Sequence, residues 1–231
     1  MADEIEITAT INSIVKNPIP WQQIGITGLH LLIPILGPIS LLGWQRRIYE
    51  EALRGNTKTI PTIHFMDDLK YGVQPFVALL NSIVVVFAFF ALMATLFGCG
   101  GLVVLLLAQV SPDIATIIGG LGLLVGYLGY LLGITLLSLG LNVINVELQR
   151  RGYEGDLFPI LHAREIFWLL RHNTKSYLLA FVGVFVSGLF GMIGAFACYV
   201  GIFFSLPLGM IGSARILAQW NQSVERKLIR G

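Results

Sequence analysis

Apolar residues in this chain come in long unbroken runs, separated by short polar stretches rich in arginine. Phe76–Val110 and Tyr177–Leu217 carry almost no charge. Each exceeds the roughly 20 apolar residues that cross a bilayer as a helix. Ile24–Trp44 and the glycine-rich Ile114–Val146 are two further runs. A transmembrane β-barrel would alternate apolar and polar residues instead, so the pattern predicts an all-α polytopic membrane protein. Phe97-Gly98-Cys99-Gly100-Gly101 is a turn-prone cluster, because glycine adopts positive φ freely. It divides an outward span, Phe76–Phe97, from a returning one that begins near Gly100. Tyr177–Ala195 and Phe196–Trp220 repeat that plan. In Ile24–Trp44 the centre reads Ile33-Pro34-Ile35-Leu36-Gly37-Pro38, which fits either a kinked span or a hairpin that enters and leaves on one face.

Shorter patterns lie between the runs. In residues 3–16, Ile7, Ile11, Ile14 and Val15 recur at helical spacing, which predicts an amphipathic helix on the membrane surface. Asn17-Pro18-Ile19-Pro20 ends it, and Trp21 suits the headgroup level. In 62–71, Ile63, Met66 and Leu69 share a face and predict a second interfacial helix. Gly55-Asn56 should stop the helix that carries Arg47–Leu53 out of the membrane.

One motif occurs twice: Gln45-Arg46-Arg47-Ile48-Tyr49-Glu50 and Gln149-Arg150-Arg151-Gly152-Tyr153-Glu154. Each copy follows an apolar run. Pro61-Thr62-Ile63-His64-Phe65-Met66-Asp67 and Pro159-Ile160-Leu161-His162-Ala163-Arg164-Glu165 come next, and Phe97-Gly98-Cys99 is answered by Phe196-Ala197-Cys198. Three matches in one order predict an internal duplication: residues 1–112 as a first repeat with its N-terminal amphipathic helix, and 113–231 as a second with a basic tail. The repeated unit is a hairpin or span, a basic interfacial helix and two transmembrane helices.

Charge sets the orientation. Only 12% of the 231 residues are charged and 55% are hydrophobic, against about a quarter charged in soluble domains. The net charge of +2 matters less than its placement. Arg46, Arg47, Arg54, Lys58 and Lys70 lie in one polar segment, and Arg150, Arg151, Arg164, Arg171 and Lys175 in the other. Arg215, Arg226, Lys227 and Arg230 lie near the C-terminus. The positive-inside rule puts all three on the cytoplasmic side. That needs an even number of crossings between the segments, so Ile114–Val146 is expected to enter and leave as a hairpin. Six full spans in inverted repeats would break the rule. The acidic N-terminus, Asp3, Glu4 and Glu6, does not read as a cleavable signal.

The Gly43-Trp44-Gln45-Arg46-Arg47-Ile48 stretch, Ile60-Pro61, and Asp67-Asp68-Leu69-Lys70-Tyr71-Gly72-Val73 resemble the family called domain of unknown function 4013, membrane proteins of bacteria and archaea. The resemblance covers roughly residues 5–85. Thr62-Ile63-His64 stands where that family usually has a Trp and an acidic pair. The family has no established activity, so the resemblance implies an architecture and no catalytic residues.

Chemistry is sparse. The cores of the spans hold no Asp, Glu, Lys or Arg, the residues that mark ion and proton pathways. His30, Asn81, Ser82, Gln109, Ser138, Asn142, Asn145 and Ser187 read as helix–helix contacts. Gly122-x-x-x-Gly126, Gly129-x-x-x-Gly133, Ser187-x-x-x-Gly191 and Gly188-x-x-x-Met192 read as seams joining the two halves, or a dimer contact. His64 with Asp67, and His162 with Glu165, lie at i, i+3 on one face. They read as solvated interfacial pairs. A metal site would need three or four such ligands to converge, and no metal or cofactor is expected. No phosphate loop, Gly-x-Ser-x-Gly elbow or HExxH motif is present. Cys99 and Cys198 fall at equivalent repeat positions and would pair if the outer turns meet. The expected function is therefore that of a non-enzymatic membrane scaffold. Arg46, Arg47, Arg150 and Arg151 would contact anionic lipid headgroups, each cation contributing about 1 kcal/mol. A small transporter or channel with a path between the halves, or an accessory subunit of a membrane complex, are the alternatives. The expected partners are the bilayer, its anionic lipids and a membrane protein or second copy, with no nucleic acid.

Overall fold

A computed structural model describes residues 5–16, 21–57, 59–196 and 201–230. Eight α-helices follow one another among them: α1 Ile7–Lys16, α2 Trp21–Leu29, α3 Leu36–Leu53, α4 Phe65–Val110, α5 Pro112–Tyr153, α6 Ala163–His172, α7 Thr174–Phe196 and α8 Ile202–Arg230. No strand occurs among the described residues. Four helices, α4, α5, α7 and α8, are long and apolar enough to cross a membrane. The protein is an all-α polytopic membrane protein. The chain forms two compact units: residues up to Leu79 together with those from Ile144 onward, and Leu80–Val143.

The second unit is a helical hairpin made of the two apolar legs of α4 and α5. The turn expected at Phe97–Gly101 is not formed, and Ile114–Val146 is not a hairpin of its own. Both stretches run as continuous helix. Glycine weakens a helix by about 1 kcal/mol relative to alanine, but in lipid an opened turn would leave backbone N–H and C=O groups unsatisfied at several kcal/mol each. The chain turns instead at Ser111, where Pro112 takes the first helical position and Asp113 the first turn. The legs meet along glycines spaced by seven. Gly119 faces Val104, Gly126 faces the Phe97 ring and Gly133 faces the Phe89 ring. A repeat of seven keeps one stripe toward a partner helix. Gly122 and Gly129 meet nothing within 4 Å, so the expected Gly122/Gly126 and Gly129/Gly133 seams each give one glycine to the hairpin and leave the other open. At about 1.5 Å per residue each leg is roughly 46 Å long, against a hydrocarbon core of about 30 Å. Tilt, kinking or local thickening must absorb that excess.

In the first unit, α7 and α8 pack antiparallel. Ser187 and Gly191 of α7 lie against Gly209 and Gly212 of α8, and Gly183 lies against Ile216. Small residues of this kind let helices in lipid approach closely. Gly188 is open and Met192 exposed, so the second small-residue pair of α7 is not part of this seam. α2 and α3 form the short hairpin that the sequence left as one of two readings for Ile24–Trp44. A 3-10 turn, His30–Leu32, leads to a tight bend in which the Leu36 amide donates to the Pro34 carbonyl at 2.7 Å. Ile35 is left at φ 65°, ψ −57°. A β-branched residue at positive φ is strained. Gln23 of α2 and Trp44 of α3 donate to the same Pro61 carbonyl, at 3.0 and 2.7 Å, so both arms return to one level.

The segment expected as a separate interfacial helix over 62–71 is the first part of α4, whose helix begins at Phe65 and continues past Pro75. Proline removes a helical donor and frees a carbonyl four residues back. The Tyr71 carbonyl freed by Pro75 is reached by Arg46 Nη1, and the Phe203 carbonyl freed by Pro207 is covered by Gly28, where a Cβ would overlap it. α1 packs against α8: Gln219 accepts from the Glu6 amide and donates to Thr10 Oγ1, each at 3.0 Å. Ile7 and Ile14 lie beside Gly183 and Gly212. The side chains of Ile11 and Val15 lie outside the described residues.

Candidate functional site

The first copy of the arginine motif sits on α3, where that helix crosses α4. Gly43 and Gly72 make the crossing possible: a Cβ on Gly43 would overlap the Asp68 carbonyl, and one on Gly72 the Ile39 carbonyl. This closeness brings Arg47 onto the buried Asp68 carboxylate through two bonds, at 2.6 and 2.8 Å, and onto the Thr62 carbonyl at 2.7 Å. Asp68 also accepts from the His64 amide at 2.7 Å, capping the start of α4. Arg46 bonds Glu50 at 3.2 Å and lies 5.8 Å from the centre of the Tyr71 ring. The residues of the Gly-Trp-x-x-Arg, Ile-Pro and Asp-x-x-x-Gly patterns thus tie one junction together.

The second copy closes α5 and is more deeply buried. Glu147, with no exposed surface, receives Arg150 through Nε and Nη2 at 2.9 and 2.6 Å, Arg151 Nε at 3.1 Å and Trp220 Nε1 at 2.9 Å. Arg150 also donates to Glu154 at 2.6 Å and to the side-chain Oδ1 of Asn221 at 2.7 Å. Arg151 extends to Glu165 at 3.2 Å. Burial alone would raise the Glu147 pKa, but the hydrogen bonds and charge of Arg150, with Trp220 and Arg151 behind them, hold it below its ordinary value. Burial would likewise lower the Arg150 pKa, and Glu147 and Glu154 more than offset it. With each charge facing several partners, the network is satisfied where a lone charge would be costly.

The two copies touch. The Tyr49 and Tyr153 rings lie 5.2 Å apart, and Tyr49 Oη donates to Glu154 at 3.3 Å. Burial, then the nearby Glu154 charge, raises the Tyr49 pKa, and burial raises that of Tyr153. Both motif helices end alike. The Gly55 amide donates to the Ala52 carbonyl and the Asn56 amide to that of Glu51. The Gly155 amide donates to Gly152 and that of Asp156 to Arg151. With φ of 81° and 99° at the two glycines, each is a Schellman cap, which glycine completes without a Cβ penalty. Gln222 of α8 donates to the Leu53 carbonyl at 3.3 Å. The C-terminal ends of α3 and α5 are thereby held to the Trp220–Gln222 stretch of α8 within the first unit.

Several expected residues fall elsewhere. The His–carboxylate pairs do not form. His162 faces Asp156 at 3.2 Å, Glu165 takes Arg151, His64 caps through its backbone and Asp67 is exposed. Their spacing on one face assumed a helix already running at His64 and His162, whereas α4 and α6 start one residue later in each case. Arg46, Arg47, Arg150 and Arg151 are all engaged by carboxylates of this chain. His30 stacks on Phe65 at 5.4 Å, and Gln109 is exposed. Cys99 is exposed in the middle of α4 rather than at a turn, which removes the geometry argued for a disulfide. Cys198 lies outside the described residues. Glu147 and Asp68 are the anchors that pattern reading passed over. Glu147 had a signal, an acid three and four residues ahead of an arginine pair. Asp68 had a weaker one, being the neighbour of the acid aligned with Glu165.

No curated protein and no solved structure matches the chain. The match to a family model reaches through both motif copies, well past the stretch that carries the sequence resemblance. It is the model of a protein family of unknown function, DUF4013, over residues 26–200, and the chain belongs to that family.

Proposed function

We propose that this protein is a non-enzymatic integral membrane scaffold, with its basic segments and C-terminus on the cytoplasmic side of a bacterial membrane. One observation carries the reading: the charged groups of both motif copies are turned onto one another. Arg47 closes on Asp68, and Glu147 collects Arg150, Arg151 and Trp220. Groups held this way fix helix ends and are not presented to a substrate. The three basic segments supply the cytoplasmic signal. The paired Arg46–Glu50 and Arg150–Glu154 bridges, the Arg47–Asp68 and Arg151–Glu165 links and the two identical caps support a duplicated unit, diverged by one helical turn between motif and cap.

The reading is tested by native-detergent capture of the full chain, with identification of bound proteins and lipids, beside solute and ion flux in proteoliposomes. A scaffold gives stoichiometric capture and flux no greater than in empty vesicles. Protein-dependent, saturable flux would replace this reading with a transporter or channel.

A further inference from the structure

Helix α6 and the turn before it carry an outer face that the bundle does not use. Ile166, Leu169 and Leu170 of α6 are buried. On the opposite side Phe167 is 58% and Trp168 54% exposed, and just ahead Phe158 is 52% and Leu161 78% exposed. Arg164 and Arg171 are exposed on that same side. At about 100° per residue both fall on the arc between the two aromatic side chains. The adjoining acid, Glu165, is already bridged by Arg151 and leaves the two guanidiniums uncompensated on this face. After Asn173 the chain passes into the transmembrane helix α7 at Thr174, so this face stands at the level where a span enters the bilayer.

From this juxtaposition we infer that α6 is an interfacial anchor that binds anionic phospholipid, with Phe158, Leu161, Phe167 and Trp168 among the upper acyl chains and Arg164 and Arg171 on the phosphates. Large exposed apolar patches mark membrane or partner contacts. Indole rings favour the headgroup level, and guanidinium groups match phosphate geometry. Charge complementarity and continuity with α7 select lipid as the occupant. These two arginines differ from the four in the motif copies, whose guanidiniums are held by the chain's own acids. The inference needs only that α7 spans the bilayer, and holds whether or not the scaffold reading does.

The test uses the full chain carrying Trp21→Phe, in phosphatidylcholine vesicles containing an equal minority of brominated phosphatidylglycerol or brominated phosphatidylcholine. Trp44 and Trp220, at 1% and 0% exposure, are shielded, so contact quenching reports Trp168. Quenching should be stronger with brominated phosphatidylglycerol and should vanish in Trp168→Phe. Arg164→Gln/Arg171→Gln should erase the preference, at about fivefold per arginine, while quenching itself persists. Arg164→Lys/Arg171→Lys should keep most of the preference. Unchanged emission from Trp44 and Trp220 certifies that each variant is folded. Equal quenching by both lipids in the parent chain would overturn the inference. So would a Trp168 quenched by aqueous iodide and not by brominated lipid, which would point to a protein-binding face.

Discussion

Both units contain helices long and apolar enough to cross a membrane and use them in opposite ways. In the hairpin of Leu80–Val143 the helices leave their apolar surface open: no residue in the most apolar stretch of Pro112–Ser138 is buried, whereas 56% of residues are in that of Ile202–Arg226. The hairpin legs touch through glycine against phenylalanine and valine. The first unit is joined by close backbone crossings and by ion pairs with buried carboxylates. Lipid tails are as apolar as leucine, so a hydrophobic surface gives helices in a membrane little reason to associate. Specific association requires small residues or polar links. The first unit has both, and the legs of the second meet along a stripe of small residues. Mutations at matched chemistry should therefore cost far more in the first unit.

The largest expected effect is at Glu147. Glu147→Ala leaves Arg150 and Arg151 without their shared buried carboxylate and should cost about 3–5 kcal/mol, read as unfolding in mixed detergent–SDS micelles. A loss below about 1 kcal/mol would mean that the network does not hold the first unit. The same group predicts an acid dependence. Its folded pKa is depressed, so its contribution is fully present above the unfolded value of about 4.3 and is lost as pH falls through the folded value. The parent chain should lose stability on that acid side, and Glu147→Gln should flatten the slope. An unaltered slope would assign it to other carboxylates.

Glycine substitutions sharpen the contrast at intermediate size. Gly43→Ala drives a methyl group into the Asp68 carbonyl, and overpacking against backbone costs about 1–3 kcal/mol. Gly122→Ala in the hairpin meets open space and should be neutral or stabilising by up to about 1 kcal/mol. Equal losses at the two sites would erase the distinction between the units. Smaller still is Gly126→Ala, whose Cβ would lie 2.5 Å from the Phe97 ring. A side chain can shift where a carbonyl cannot, so the cost should stay below about 1 kcal/mol, and Phe97→Leu in the same chain should remove it.

These differences also explain what could be read in advance. Runs of apolar residues announce membrane helices because lipid demands them, and the recurrence of Gln-Arg-Arg-x-Tyr-Glu singles out both stretches, though as a duplication with arginines for lipid headgroups rather than as charges paired within the chain. Turns were harder. Gly98, Gly100 and Gly101 carry turn chemistry by the rules of water, yet helix continues through them where no solvent can take up the freed groups, while the less conspicuous Ser111-Pro112 makes the break. Pairings over long separations were harder again. That Arg47 takes Asp68 rather than leaving His64 to Asp67, and that Trp220 meets Glu147, depends on helix crossings set by Gly43, Gly72 and Gly209, and no local pattern encodes those.

With α4 and α5 each continuous, the proposed orientation predicts two crossings between the motif copies, with both copies on the cytoplasmic side and Ser111 on the opposite side. Cysteine accessibility in intact cells and in inverted vesicles tests this most directly, using single cysteines at Thr57, Ser111 and Leu157 in a chain with Cys99 and Cys198 replaced by serine. The account predicts labelling of Thr57→Cys and Leu157→Cys from the cytoplasmic side only, and of Ser111→Cys from the opposite side only. Labelling of Thr57→Cys and Leu157→Cys from opposite sides, or of Ser111→Cys from the same side as Thr57→Cys, would contradict it.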